Sequence, residues 1–361
     1  MKSPGRLLLG PGPSPVLPRV MDALASPVLS HLDPHLLEVM DELREMLARV
    51  FLAGPGASAL AISGTGTSGM EAAVANVTKP GATATVVVSG YFGDRLAQML
   101  QRYGADVRRV EVEWGRACDP ALLERALRER RSEIVAVVHA ETSTGVLNPV
   151  DDLAAIAGEH DALLIVDAVT SLGGMPVDVE SWGTVVCYSC SQKGLGAPSG
   201  LAPIAFSAAA TARRVPSRSF YLDLALLEDY WIRRKYHHTI SAPLILALHE
   251  AVRVVEEEGL GDRHTRHHAN HLLLAEGLAS LDLQLLPPAS ERLWTLNAVR
   301  VPDGVDEAAV RRALLADFGI EVGAGLGPLA GRIWRVGLMG AGSTSSNVSL
   351  LLSALGEILK R

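Results

Sequence analysis

Short, unbroken apolar runs alternate with amphipathic helical stretches through the first two thirds of the chain, and this most narrows the folds open to it. "TATVVVSG" (83–90), "EIVAVVHAET" (133–142), "ALLIVDAV" (162–169) and "TVVCYSC" (184–190) each read as a strand. A strand with one wet face would alternate apolar and polar residues; these do not, so both faces must be covered. The stretches "YFGDRLAQMLQRYG" and, after Pro149, "VDDLAAIAGEH" carry helical spacing. Strand–helix repetition of this kind builds a parallel sheet clad in helices, an α/β domain. A long helical stretch, "PLILALHEAVRVVEEEG" (243–259), closes this part, and beyond it "HLLLAEGLASLDLQLL", "LNAVRVP" and "DEAAVRRALLADFGI" read as a smaller α+β unit. The expected division is an N-terminal arm (1–20), a large domain (21–258) and a small C-terminal domain (259–361).

Composition removes several classes of function. With 48% hydrophobic and 20% charged residues the chain is an ordinary globular protein, and a net charge of −7 gives no reason to expect nucleic acid or an anionic membrane as partner. Near the N-terminus only three consecutive leucines precede Gly10 and Pro11, too few for a signal-peptide core. The charge-free stretch 194–212 contains "GLGAPSG" and Pro203, which argue against a membrane helix, so a cytoplasmic protein is expected. Cys187 and Cys190 form a C-x-x-C. On a strand, however, their Cα atoms would lie roughly 10 Å apart, against the ~7 Å a disulfide tolerates. With only Cys118 besides, no zinc set is complete, and small core residues are expected.

Polar chemistry in an open α/β sheet gathers at the carboxyl ends of the strands. Four groups fall there. "SGTGTSGMEAAVANV" (63–77) is a Gly/Thr/Ser turn entering a helix, a competent phosphate site. "HAETSTG" places Glu141 and Thr142 at a strand end, Asp167 closes "LLIVD", and Lys193 stands alone in "CYSCSQKGLGAPSG". A shielded amine has its pKa lowered enough to act as nucleophile and base. An aspartate can hold a pyridinium nitrogen protonated, and a helix N-terminus can hold a phosphate. Pyridoxal phosphate asks for all three.

Together with "LLLGPGPSPV", "SFYLDL", "YHHTISAP" and "GAGLGPLAGRIWRVGLMG", in this order, these motifs resemble the alanine–glyoxylate / serine–pyruvate aminotransferase branch of the class V aminotransferases. The resemblance implies the fold type I pyridoxal-phosphate architecture: a seven-stranded, mainly parallel large domain, a small C-terminal domain and a homodimer with shared active sites. It implies that Lys193 is the Schiff-base lysine, that Asp167 faces the pyridine nitrogen, and that Thr65, Gly66, Thr67 and Gln192 form the phosphate cup. Tyr236 and Thr239 match the neighbouring subunit's contribution to that phosphate, Thr142 a position near the ring hydroxyl, and Arg335 the clamp for the substrate carboxylate. Three positions depart from the pattern. Phe92 stands where relatives often carry a stacking tryptophan, and Cys190 and Ser30 stand where glycine is usual, Ser30 beside the substrate pocket.

The activity implied is ping-pong transfer of an amino group from a small amino acid, alanine or serine, to glyoxylate or pyruvate. Another class V activity such as ureidoglycine–glyoxylate transamination is the alternative. A cysteine desulfurase is disfavoured, since all cysteines precede residue 191 and Gln192, not histidine, precedes Lys193. From a different class, His264, His267, His268 and His271 in "RHTRHHANH" share one helical face and would suit a metal-binding or regulatory protein. No acidic residue or cysteine joins them, so a solvated helix face and no metal are expected.

Overall fold

The computed structural model describes residues 5–360; residues 1–4 of the expected arm, and residue 361, lie outside it. Its centre is a seven-stranded sheet in the order Ser58–Ser63, Leu201–Phe206, Val185–Tyr188, Leu163–Asp167, Ile134–Val138, Thr83–Val88, Asp106–Glu111. Leu201–Phe206 is antiparallel to both neighbours, and every other pairing is parallel. All five residues of Ile134–Val138 and of Leu163–Asp167 are buried, as continuous apolar runs require.

Three strands escape the apolar-run reading, each for a physical reason. Asp106–Glu111 ("DVRRVE") is an edge strand with one wet face, Ser58–Ser63 ("SALAIS") is alanine-rich, and Leu201–Phe206 contains Pro203. Pro203 costs the sheet one ladder bond, the one its nitrogen would have donated. Its carbonyl accepts from Ser189 N at 2.8 Å, so its nitrogen faces the same way, just past the end of the ladder at Ile204↔Tyr188. The run 133–142 also divides: the main-sheet strand ends at Val138, and Ala140–Glu141 pairs instead with Val146–Leu147 in a separate small hairpin.

The helix Ala242–Glu258 runs across the large core, against both Pro18–Leu24 and Pro34–Val50. A second core lies under the antiparallel strands Leu296–Arg300, Ile333–Gly337 and Gly323–Ala324. Residues 7–9 of the arm belong to that second core: Leu7–Leu8 pairs in parallel with Ile320–Glu321, and Leu9 is fully buried there. The chain therefore crosses from the second unit to the first at Gly10–Pro15, and this crossing passes over the turn that carries Lys193 (Ser14 N donates to Gln192 O, 2.9 Å). No helix among the described residues is long and apolar enough to cross a membrane. All three cysteines are buried and free.

Candidate active site

Loops and helix starts following five strands of the main sheet enclose a cavity of about 240 Å³. The helix Gly66–Val77 brings Thr65, Gly66 and Thr67, and Tyr91–Arg102 brings Phe92. The strand ends bring Thr142 and Asp167, and the turn after Val185–Tyr188 brings Cys190, Gln192 and Lys193. The site lies at the carboxyl end of the sheet, where connections leave in opposite directions, as expected of an open α/β sheet.

Asp167 is the most constrained group. Its Oδ1 accepts from Val169 N and its Oδ2 from the Tyr188 hydroxyl, both at 2.8 Å. Burial raises its pKa to about 6, against the hydrogen bonds that lower it. A carboxylate so placed gains from a cationic N–H partner. Burial likewise holds the Lys193 amine below the ordinary lysine range, and the Arg335 charge pushes the same way. The Lys193 Nζ donates to Pro11 O, and the Ser14 hydroxyl donates to Lys193 O at 2.7 Å. Residue 12 must be glycine here: a Cβ would lie 2.5 Å from Lys193 Cε, and φ is +109°. The "GPGPSP" motif thus packs directly on the Lys193 side chain.

Glu141, buried behind the cavity, accepts from Gly93 N (3.1 Å) and Ser143 Oγ (2.5 Å), so it caps the helix that presents Phe92. Residue 90 is glycine because a Cβ would come within 2.5 Å of the Glu141 side chain. Arg335, on Ile333–Gly337 of the second unit, donates from Nε to Ala324 O (2.6 Å) and from Nη1 to Thr142 O (3.3 Å). Burial lowers its pKa to about 10, which leaves it charged at neutral pH. Burial pushes the Cys190 thiol up to about 12, so it sits in the wall as a neutral group.

Three residues singled out by sequence lie apart from this cavity within one chain. Ser30, Tyr236 and Thr239 are exposed, and the Tyr236 ring packs against His31, centroids 5.3 Å apart. Sequence reasoning did not pick out the positions of Gly12 and Tyr188 or the capping role of Glu141; only the glycine-rich "GPGP" gave a local signal.

The model of the family described as Aminotransferase class-V matches residues 7–334. The chain belongs to the class V aminotransferase family. It is 37% identical to (S)-ureidoglycine–glyoxylate transaminase of Bacillus subtilis (strain 168), over 99% of this chain and 92% of the relative. It is 36% identical to alanine–glyoxylate aminotransferase of Drosophila melanogaster, over 99% and 93%. The crystal structure of alanine–glyoxylate aminotransferase from Nostoc sp. superposes with a TM-score of 0.96 at 45% identity, covering 99% of this chain and 96% of that one. By family the chain is a transaminase, and its fold is that of the fold type I pyridoxal-phosphate aminotransferases.

Class V aminotransferases depend on pyridoxal phosphate, and the cavity of this transaminase suits that group. Thr65 stands at a helix N-cap, yet its hydroxyl caps nothing. The buried Gln192 side-chain oxygen has no partner, and Asp167 is a buried carboxylate without an ion pair among the described residues. The histidine face departs from the solvated surface expected of it. His267 is fully buried, with Nδ1 donating to Arg263 O (2.7 Å) and Nε2 accepting from Gly340 N (3.1 Å). His271 is buried on Asn297 Oδ1 (2.6 Å), and His268 packs on Trp294. The face is turned inward, His271 onto Leu296–Arg300, His268 onto Trp294 and His267 onto Gly340; the charged neighbours in "RHTRHH" hide this in the sequence.

Proposed function

We propose that this transaminase binds pyridoxal phosphate covalently through Lys193 and moves an amino group from a small amino acid, alanine or serine, to glyoxylate or pyruvate. The observation that carries this reading is one cavity holding a buried amine and a buried carboxylate, Lys193 and Asp167, with Arg335 fixed beside Thr142. When bound, the cofactor supplies an electron sink for a carbanion at the substrate α-carbon. Asp167 holds the proton on the ring nitrogen. Lys193 Nζ, whose pKa burial lowers from the ordinary lysine range, takes the proton from the substrate Cα. Arg335 meets the α-carboxylate with a planar fork whose Nε and one Nη are already anchored, which fixes its orientation. Phe92, held by the Glu141 cap, offers an aromatic face to the ring. Amino donor and oxo acceptor occupy the same cavity in turn, which gives ping-pong kinetics. The protein works as a homodimer in which Ser30, Tyr236 and Thr239 of each chain serve the other's cavity.

A donor panel tests this. Borohydride reduction of the yellow holoenzyme should fix cofactor to the peptide containing Lys193, and alanine or serine should be the better donors to glyoxylate or pyruvate. Preferential turnover of (S)-ureidoglycine would reassign the donor, and label on another lysine would overturn the assignment of Lys193.

A further inference from the structure

Besides Lys193, one other cationic side chain lines the cavity: Arg95, one turn beyond Phe92 on the helix Tyr91–Arg102. Its Nη1 donates to Thr67 Oγ1 at 3.2 Å, and its Cζ lies 5.0 Å from the Phe92 ring centroid and 5.2 Å from that of Tyr91. Among the described residues no carboxylate pairs with it; the adjacent Asp94 is taken by Arg109 at 2.7 Å and by Gln98 Nε2 at 2.6 Å. A guanidinium has five N–H donors, and one bond to Thr67 leaves most of them uncommitted. Thr67 belongs to the first turn of the helix Gly66–Val77, where the backbone N–H groups of Gly66 and Thr67 precede any intrahelical acceptor. A cation without a counter-charge, a free hydroxyl at Thr65 and a helix N-terminus thus converge on one end of the cavity.

We propose that Arg95 binds the phosphate of the cofactor, as the cation that each chain itself supplies to this dianion. The inference rests on the pyridoxal-phosphate reading above and adds to it a residue that neither the motifs nor the resemblance singled out. The other cations are committed elsewhere. Lys193 is assigned to the covalent link, and Arg335 is anchored on Ala324 and Thr142. Thr65, Thr67 and the Tyr236 assigned to the partner's side offer only neutral donors, whereas a phosphate monoester carries nearly two negative charges. The rings of Phe92 and Tyr91 hold the guanidinium by cation–π contact and leave its edge free for oxygen.

A competing role, in which Arg95 serves only to hold the Phe92 ring, is separable because pyridoxal has the ring and lacks the phosphate. Wild type, Arg95→Ala and Arg95→Lys are compared as holoenzymes for cofactor loss on dilution, and then by absorbance titration with pyridoxal phosphate and with pyridoxal. Arg95→Ala should weaken pyridoxal phosphate roughly 10- to 100-fold and leave pyridoxal within about twofold. Arg95→Lys should recover part of the loss, and added salt should narrow the gap between wild type and Arg95→Ala. Equal weakening of both vitamers would reassign Arg95 to the ring, and unchanged binding of both would place the anion elsewhere. Wild type that binds neither vitamer would instead remove the cofactor reading itself.

Discussion

The two ends of the proposed shared site differ in how far one chain completes them. Around Asp167 the chain answers its own polar groups: Tyr188, Val169, Pro11 and Ser14 fix the carboxylate and the lysine turn within a closed wall. Around Tyr236 the rings lie open, with Phe220 73% and Tyr236 59% exposed and Val28 nearby in sequence to Ser30 at 80%. Exposed aromatic rings of this kind are what the proposed second chain would cover. In the proposed reading, chemistry at the closed end is completed by one chain, and binding at the open end draws on a second.

The largest effect separates these ends. Lys193→Ala should retain the fold and lose at least about 10³-fold in turnover, since both the covalent attachment and the proton transfer go with the amine. Tyr236→Ala should weaken cofactor retention while leaving Lys193 chemically competent. Mixing the two variants then breaks or sustains the comparison. Where sites are shared, each mixed dimer regains one intact site, and statistical exchange yields about a quarter of wild-type activity. No recovery despite demonstrated exchange would mean that one chain completes its own site.

The closed end was largely legible in the sequence. Thr65, Gly66, Thr67, Phe92, Thr142, Asp167, Gln192 and Lys193 are separated by up to 128 positions (193 − 65), yet each follows an apolar run or opens a helix, and the sheet brings all such points to one edge. Arg95 and the cap at Glu141 were not legible, because their partners, Thr67 and Gly93, become neighbours only once helices pack on the sheet. Strands were missed where the apolar run was broken by an edge position or by Pro203. His267 was misread as surface because burial of an imidazole leaves no mark when charged residues flank it.

Next in size is Arg335→Lys, which keeps a charge at the closed end and loses the fork. It should lower kcat/KM by roughly 10²-fold for every donor, and glutamate and aspartate should remain poor donors throughout. Efficient wild-type turnover of glutamate, or indifference to this substitution, would detach Arg335 from substrate recognition.

A smaller effect appears in acid stability. Burial lowers the pKa of His267 to about 3 and that of His139 to about 4, while the unfolded chain takes up these protons near 6.5. Between those values the unfolded state binds more protons, so stability falls as pH drops below about 6.5, by up to ~1.4 kcal/mol per pH unit for each histidine. Asp167, raised to about 6, acts in the opposite sense: in the cofactor-free chain it adds stability as pH falls from 6 towards its unfolded value of 3.8. The two histidines outweigh it. His267→Gln should therefore be less stable at pH 7 yet lose less between pH 6.5 and 4.5, in urea unfolding of the cofactor-free protein. An unaltered slope would show that His267 is not held neutral.

The smallest effect probes the open end. Ser30 is exposed, and its hydroxyl accepts only from Leu32 N at 3.4 Å. Its neighbour His31 is pinned to the Tyr236 region through the Tyr230 hydroxyl, 2.8 Å from His31 O. Among the described residues no contact joins Ser30 to the cavity of its own chain, so in the proposed dimer its influence on substrate would pass across to the other chain. Removing one hydroxymethyl group from a pocket wall changes discrimination by about 1 kcal/mol, or roughly fivefold. Ser30→Gly should then raise kcat/KM for donors bulkier than serine by about that factor and leave alanine unchanged. Steady-state kinetics across an alkyl donor series reads this directly. A uniform change for all donors would mean that the glycine alters the loop and not the pocket. No change for any donor would mean that this face does not reach the partner's cavity, and the shared-site reading would then rest on Tyr236 and Thr239 alone.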